Sequence, residues 1–208
     1  FYQMSKVNNS KSWIKRHVKD PFVIQSQKDG YRSRAAYKLI EIDKKYHIIK
    51  AGITAVDLGA APGGWSQVLS KKIGATGKVI AVDILEMPSI GNIDFIQGDF
   101  SEKTILQDIE NKLKSNELDL VISDMAPNIS GIKMVDQQKA IYLNELALEF
   151  AKNHLKQNGF FLVKSFVGVN FDEFLAELKI NFKKVFKIKP DSSRSRSSEI
   201  FLLAHELK

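Results

Sequence analysis

A single lysine interrupts an apolar run in the last quarter of the 208-residue chain. The run GFFLVKSF covers residues 159–166 and is typical of a strand that is buried on both faces. Lysine is rarely buried without a partner, because an unpaired ammonium group in the interior costs much free energy. We therefore expect Lys164 either to reach water where its strand ends or to meet a nearby acid.

Aspartates stand at or near the ends of four other apolar runs. Ligands of open parallel sheets bind beyond the carboxyl ends of the strands, so we expect the four carboxylates to surround one crevice. A single aspartate at such a place is often only the N-cap of the next helix. The four are Asp57 in residues 53–59, Asp83 in 78–84, Asp99 in 93–99 and Asp124 in 118–124.

The first of these runs continues into a glycine-rich segment, DLGAAPGGWSQVL. Gly59, Gly63 and Gly64 allow a tight turn and a close approach of the backbone to a ligand. Their spacing is not the G-x-G-x-x-G of dinucleotide enzymes. A rim of carboxylates would also repel a pyrophosphate. The donors and cationic groups of S-adenosyl-L-methionine suit such acceptors better.

Three residues are candidates to bind that cofactor. We expect Asp83 to accept hydrogen bonds from the ribose hydroxyls and Asp99 to accept one from the adenine amino group. Trp65 can pack against the methionine or adenosine moiety. It can equally be a half-buried aromatic residue at a helix start.

The elements that must position these residues alternate between strands and helices. Such alternation predicts a parallel sheet with helices on both faces. The strands are predicted at 53–59, 78–84, 93–99, 118–124 and 159–165, and the helices near 64–74, 101–115 and 136–157.

The two ends of the chain depart from this alternation. Residues 33–47 predict a helix that precedes the sheet, and residues 171–182 predict another after Lys164. Strands at 184–189 and 199–207 follow with no helix between them, which predicts an antiparallel last pair.

Composition and charge limit the class of protein. With 44% hydrophobic residues, we expect one domain over residues 1–208, made of a basic segment (1–50) and a core (51–208). Residues 1–50 hold 12 Lys/Arg against 4 Asp/Glu, while the rest of the chain is nearly neutral. This asymmetry suggests a nucleic acid partner, with a solvated lysine-rich helix as the alternative.

The chain contains no cysteine, which excludes disulfides and thiolate chemistry and fits a reducing compartment. No stretch approaches the roughly 20 apolar residues of a membrane span, so we expect no membrane partner. Because the N-terminal stretch is polar and basic, we expect no signal peptide, and we expect Met4 to be the natural start.

Taken together, several motifs closely resemble the FtsJ-like ribosomal RNA 2′-O-ribose methyltransferases. The similarity extends from about Lys11 to the last strand. The motifs are YRSRAAYKL (31–39), VDLGAAPGGWSQV (56–68), VISDMAPN (121–128), LVKSF (162–166) and KPDSSRSRSSE (189–199).

This resemblance implies an α/β, Rossmann-like methyltransferase fold with a seven-stranded, mostly parallel sheet and an antiparallel last strand. It implies S-adenosyl-L-methionine as cofactor and no metal. The catalytic tetrad it implies is Lys38, Asp124, Lys164 and Glu199. The cofactor residues are Gly63, Trp65, Asp83, Asp99 and Asp124, to which the glycine-rich turn adds Gly59.

The resemblance also implies a substrate, a uridine in the large-subunit (23S-type) ribosomal RNA, preferably in the assembled subunit. We expect a cytoplasmic monomer that acts on it. Transfer RNA or mitochondrial ribosomal RNA is the alternative substrate. A non-catalytic RNA-binding assembly factor is the alternative of another class. The sequence after Asp124, Met-Ala-Pro-Asn, argues against a base amino-group methyltransferase, which typically carries D/N-P-P-Y/F there.

In this hypothesis Lys164 accepts the proton of the 2′-hydroxyl and Lys38 positions that hydroxyl, while Asp124 and Glu199 orient the two lysines. The sequence leaves open whether the pKa of Lys164 is raised or lowered. Phosphate contacts are expected from Arg32, Arg34, Lys38, Arg194 and Arg196. Tyr31, Tyr37 and Phe166 can stack on an extruded base or pack in the core.

Overall fold

The structure is a computed structural model that describes residues 20–114, 117–194 and 197–208. Two predictions lie outside these ranges, namely the natural start at Met4 and the phosphate contact of Arg196.

The described residues form a seven-stranded sheet with the strand order β3-β2-β1-β4-β5-β7-β6. Neighbours among the first five strands pair in parallel, and β7 is antiparallel to both β5 and β6, which confirms the predicted fold class. The strands are β1 (Thr54–Leu58), β2 (Lys78–Asp83), β3 (Ile93–Gln97), β4 (Leu118–Ser123), β5 (Leu155–Phe166), β6 (Phe182–Ile188) and β7 (Glu199–Leu207).

Helices cover both faces of the sheet, as the alternation predicts. They are α1 (Pro21–Lys28), α2 (Ala35–Tyr46), α3 (Gly64–Ile73), α4 (Lys103–Leu113), α5 (Lys133–His154) and α6 (Phe171–Asn181). Apolar residues of α2 and α3 pack on one face, and those of α4, α5 and α6 pack on the other. Side chains alternate between the faces along each strand, so both faces of the central strands are buried.

The strand registers bring distant residues to the carboxyl edge of the sheet. Asp124 directly follows β4, and Lys164 lies near the end of the parallel strand β5. Glu199 opens the antiparallel strand β7 and pairs with Phe166. The three residues from separate segments therefore lie at one edge, as the tetrad implied by the resemblance requires.

The end of helix α5 differs from the prediction, and one helix was not predicted. Helix α5 ends at His154, three residues early, because Leu155 is buried in a pair with Leu118. Lys156 Nζ also lies 2.7 Å from Asp119 Oδ1, which holds the extended segment beside β4. Helix α1 was not predicted, although Asp20 caps it and Pro21 is its first residue, a typical start signal.

Candidate active site

Two lysines and two carboxylates meet at the carboxyl edge of the sheet. Lys38 Nζ, from α2, lies 2.7 Å from Glu199 Oε1 and 2.8 Å from Oε2. Lys164 Nζ lies 2.9 Å from Asp124 Oδ1 and donates to the Asp124 carbonyl oxygen at 2.7 Å. We call these four residues the lysine–carboxylate cluster. The second expectation for Lys164 is therefore confirmed, because an acid lies beside its buried amino group.

The cluster is shielded from water but still reachable. Only 8% of Lys164 is exposed, and its ammonium group lies 5.9 Å from the centre of the Phe166 ring. Burial by itself raises the pKa of Glu199. Attraction to Lys38 and Lys164 and hydrogen bonds from Lys38 and Ser193 outweigh it, so the pKa of Glu199 lies below its usual value. Glu199 is therefore a carboxylate at neutral pH and orients Lys38 as an anion.

The glycine-rich turn after β1 reaches the cluster through a close backbone contact. A Cβ atom at Gly59 would lie 2.8 Å from the backbone of Met125, and Gly59 has a φ of +76°. Both observations require glycine there. The Asp124 N–H also donates to the Leu58 carbonyl at 2.9 Å. The glycine-rich turn and the start of the β4–α5 loop are thus locked together.

A cleft of about 470 Å³ opens beside this contact and is lined by Gly59, Asp83 and Asp99. Its volume lies within the range of small-molecule sites. Asp83 accepts from the Ala61 and Leu85 N–H groups at 2.8 Å each, which fixes its carboxylate at the cleft wall.

Asp99 is suited to receive a donor from a ligand. It accepts from the Ser101 N–H and hydroxyl, both at Oδ1. These hydrogen bonds hold the pKa of Asp99 below its ordinary value, so it remains an acceptor without a proton. Within the described part of the chain, the lone pairs of Oδ2 are left for an amino group. This donor and acceptor set fits an adenosine moiety, as the sequence predicts.

A smaller cleft of about 150 Å³ continues from the larger one towards the cluster. Gly59 and Ala61 line both clefts, while Trp65 and Asp124 line the smaller one. Trp65 is almost fully buried, and its indole N–H donates to the Ala35 carbonyl at 2.7 Å. The ring therefore serves the core and forms a wall of the smaller cleft.

The backbone geometry requires glycine at position 63. Gly63 has a φ of +106°, and a Cβ atom there would lie 2.7 Å from Ile90 and 2.9 Å from Arg32 Nη1. A side chain at this position would be strained and crowded. The contact of Gly63 with a cofactor stays a prediction.

The prediction that Asp57 borders the crevice is wrong. Asp57 lies inside β1, one residue before its end, and is fully buried. Strand alternation directs its side chain to α3, where it accepts from the Ser66 hydroxyl at 2.6 Å. Burial raises its pKa to about 7, opposed by the Ser66 hydrogen bond and aided by the charges of Asp124 and Asp83.

The two arginines of the N-terminal motif are engaged with the protein itself. The Arg32 guanidinium donates to the carbonyls of Pro62 at 3.3 Å, Pro88 at 2.7 Å and Ser89 at 2.9 Å. It thereby ties the glycine-rich turn to the β2–β3 loop. Arg34 pairs with Asp20 and donates to the Ser192 carbonyl. Either guanidinium would have to give up these partners to contact a phosphate.

Arg194 is more accessible than these two arginines. Half of its side chain is exposed, and its Nε lies 3.6 Å from Asp20 Oδ2. Tyr31 and Tyr37 pack edge to face, with their ring centres 5.8 Å apart, and the Tyr37 hydroxyl donates to Asp29. For these two rings, packing is the observed role, while Phe166 lies beside Lys164.

Two residues that position the cluster were missed by the sequence analysis. Glu41 accepts from the backbone N–H groups of Asp191 at 2.7 Å and Ser192 at 3.1 Å, and Ser193 donates its hydroxyl to Glu199 at 3.0 Å. Glu41 lies three positions after Lys38 on α2, so the two share a helix face. The three-residue spacing from Lys38 could have identified Glu41 from the sequence.

The described residues offer neither a metal site nor a membrane-spanning helix. They contain no group of three or more His, Cys, Asp or Glu placed to hold a metal ion. No helix among them is long and apolar enough to cross a membrane.

Comparison with known proteins gives a consistent result. A family model described as FtsJ-like methyltransferase matches residues 31–207. The chain is 56% identical over 200 residues to the ribosomal RNA large subunit methyltransferase E of Methylobacillus flagellatus, covering 96% of this chain and 97% of that protein. It is 54% identical over 201 residues to the enzyme of the same name from Pseudomonas fluorescens, covering 97% and 96%.

Solved structures show the same architecture. A ribosomal RNA methyltransferase from Plasmodium falciparum superimposes with a TM-score of 0.76 at 30% identity, covering 85% of this chain and 98% of that one. Fibrillarin from Aeropyrum pernix, solved with natively bound S-adenosyl-L-methionine, superimposes with a TM-score of 0.57 at 17% identity, covering 84% and 75%, and supports the fold alone.

Proposed function

Because the chain belongs to the FtsJ-like methyltransferase family, we propose that it methylates a ribose 2′-hydroxyl of large-subunit ribosomal RNA, with S-adenosyl-L-methionine as the methyl donor. The observation that carries the proposal is the lysine–carboxylate cluster beside the two joined clefts. We further propose a uridine in the assembled subunit as the target, a cytoplasmic location, and a single methyltransferase domain that acts as a monomer.

In this proposal, each of the two clefts holds one part of the cofactor. Asp83 and Asp99 hold the ribose and the adenine in the larger cleft. The smaller cleft, with Trp65 and Asp124, would hold the methionine end, and Asp124 also contacts Lys164. The cofactor supplies a methyl group on a sulfonium, which is already an excellent leaving group.

The protein must then supply alignment and a proton acceptor. Lys164, as the neutral amine, accepts the 2′-hydroxyl proton at Nζ and becomes the ammonium. Asp124 holds that Nζ through its carboxylate and its carbonyl. Lys38, oriented by anionic Glu199, donates to the same hydroxyl oxygen and fixes the ribose.

Methyl transfer to unmodified large subunits and to free ribosomal RNA tests the proposal. Lys164→Ala should lower the rate by roughly 100- to 10,000-fold, the usual contribution of a proton acceptor. The matched control is Lys156→Ala, which breaks another lysine–aspartate pair between the same two strands, near their other end, and should keep the wild-type rate. The product should be an alkali-resistant, ribose-methylated dinucleotide.

Other results would redirect the proposal. Label on neither substrate, despite measurable cofactor binding, would favour transfer RNA as the acceptor and then a non-catalytic assembly factor. If Lys164→Ala kept full activity, the role of Lys164 as proton acceptor would be wrong.

A further inference from the structure

Large aliphatic side chains project into solvent from two neighbouring loops at the carboxyl edge. In the β4–α5 loop and the first turn of α5, Ile129 is 84% exposed, and Ile132 and Met134 are also exposed. Val167 and Val169 are exposed in the β5–α6 loop. We call these five residues the apolar rim. Exposing so many large aliphatic side chains together is costly unless they bind something.

The apolar rim rests on a fixed support. Asp136 accepts from the Ser130 N–H at 2.8 Å, the Ser130 hydroxyl at 2.6 Å and the Gly131 N–H at 3.1 Å. The Val169 N–H donates to Gln137 Oε1 at 3.4 Å, which joins the second loop to the same helix. These hydrogen bonds to α5 fix the backbone of both loops, from which the aliphatic side chains project into solvent.

The apolar rim is continuous with the candidate active site. Asn128, directly before Ile129, lines the larger cleft, and so does Lys139 of α5. On the other loop, Val167 directly follows Phe166, whose ring lies beside the Lys164 ammonium group. A molecule that presents its ribose to Lys164 would extend over this rim.

The chemistry of the apolar rim favours bases rather than phosphates. Aliphatic side chains offer no hydrogen bond to a phosphate, whereas the exposed Lys133 and Lys139 beside them can neutralise a backbone. In other nucleic acid-binding proteins, exposed isoleucine and methionine side chains insert between stacked bases and open the step. Displacing a nucleotide from its stack, as enzymes that modify bases do, would bring its ribose into reach of an enclosed site.

We propose that the apolar rim inserts between bases of the substrate RNA next to the methylated nucleotide, and so turns its ribose towards Lys164. The proposal rests on the RNA methyltransferase function proposed above. It assigns the described segment 129–134 as the wedge, supported by Val167 and Val169.

The test uses the double variant Ile129→Ser/Ile132→Ser with unmodified large subunits. The matched control is Ile180→Ser, since Ile180 is 71% exposed at the far end of α6, on the opposite edge of the sheet. The double variant should lower kcat/KM about tenfold or more. Its Kd for S-adenosyl-L-methionine should stay within about twofold of the wild-type value. Ile180→Ser should behave as wild type.

A second measurement identifies the partner. Dimethyl sulfate modification of the subunit RNA, with enzyme and S-adenosylhomocysteine bound, should reveal newly reactive bases beside the methylated nucleotide. The double variant should lose this reactivity. Full kcat/KM in the double variant would overturn the inference while leaving the proposed function intact. Lost turnover with an unchanged reactivity pattern would also overturn it and would assign the apolar rim to a ribosomal protein. If wild-type enzyme methylates no RNA, both proposals fall.

Discussion

Two ionisable side chains buried at the same edge of the sheet meet the cost of burial in different ways. Lys164 has a carboxylate and a carbonyl of Asp124 within 2.9 Å, so its charge is compensated. Asp57 has no cation beside it among the described residues, and only the Ser66 hydroxyl donates to it. Its pKa is accordingly raised to about 7, with burial as the largest cause. Lys164 thus has an acid beside it, whereas Asp57, in the part of the chain that the structure describes, has no cation to offset its burial and is partly neutral at physiological pH.

Asp57→Asn should change how the stability of the protein depends on pH. The folded-state pKa of about 7 exceeds the ordinary value of 3.8, so the folded protein binds more protons than the unfolded chain between these values. The contribution of Asp57 is fully present below about pH 4 and is lost as the pH rises through about 7. At pH 8 the ionised carboxylate costs at most about 4 kcal/mol.

Urea denaturation of wild type and variant between pH 4 and 8 measures this effect. Asparagine can still accept from Ser66, so the variant should gain stability over wild type progressively with pH and level off above about 7. Asp94→Asn removes the same charge from an exposed position and serves as the control. A stability difference that is constant across this range would contradict the raised pKa.

At the scale of elements, periodicity and topology explain what the sequence could predict. The alternation of strands and helices predicted the sheet. Two strands that end near Asp124 and Lys164, and one that starts at Glu199, predicted the position of three residues of the cluster. The end of α5 could not be predicted, because Leu148, Ala151 and Leu155 continue the helical spacing of apolar residues across the boundary. The helix ends there because Leu155 pairs with Leu118, a residue far away in the sequence.

The contacts of the arginines were equally beyond the sequence. Hydrogen bonds to backbone carbonyls leave no trace in residue type, so Arg32 and Arg34 looked alike in the YRSRAAYKL motif. The structure separates them. Arg32 joins the glycine-rich turn to the β2–β3 loop, whereas Arg34 joins the residue before α1 to the loop before Glu199.

Arg32→Ala should therefore weaken cofactor binding rather than RNA binding alone. Losing its hydrogen bonds to Pro62, Pro88 and Ser89 frees the glycine-rich turn and the β2–β3 loop. If these hydrogen bonds stabilise the cofactor-bound state by about 1.5 kcal/mol, their loss raises the Kd for S-adenosyl-L-methionine about tenfold. Titration calorimetry measures it, with Arg34→Ala as the control that keeps the wild-type Kd. An unchanged Kd for Arg32→Ala together with weaker RNA binding would return Arg32 to a phosphate-binding role.

At the scale of the whole molecule, some of the described positive charge lies beside the candidate active site. The basic segment 1–50 contributes α2 and Lys38 to the carboxyl edge, while the rest of the chain is nearly neutral. Arg194 stands at this edge with half of its side chain exposed. Arg194 therefore offers a polyanion an exposed cation beside the lysine–carboxylate cluster.

The salt dependence of RNA affinity tests this orientation through Arg194. If its guanidinium binds one phosphate, Arg194→Ala should reduce the slope of log K against log salt concentration by roughly 0.7 to 0.9, whatever the RNA sequence. Lys179→Ala is the control, because Lys179 is exposed near the far end of α6, at the opposite edge of the sheet, and carries the same charge. Equal slopes for the two variants would mean that the RNA responds only to net charge. A smaller slope for Arg194→Ala alone would fix the path of the RNA backbone between α2 and the loop that precedes Glu199.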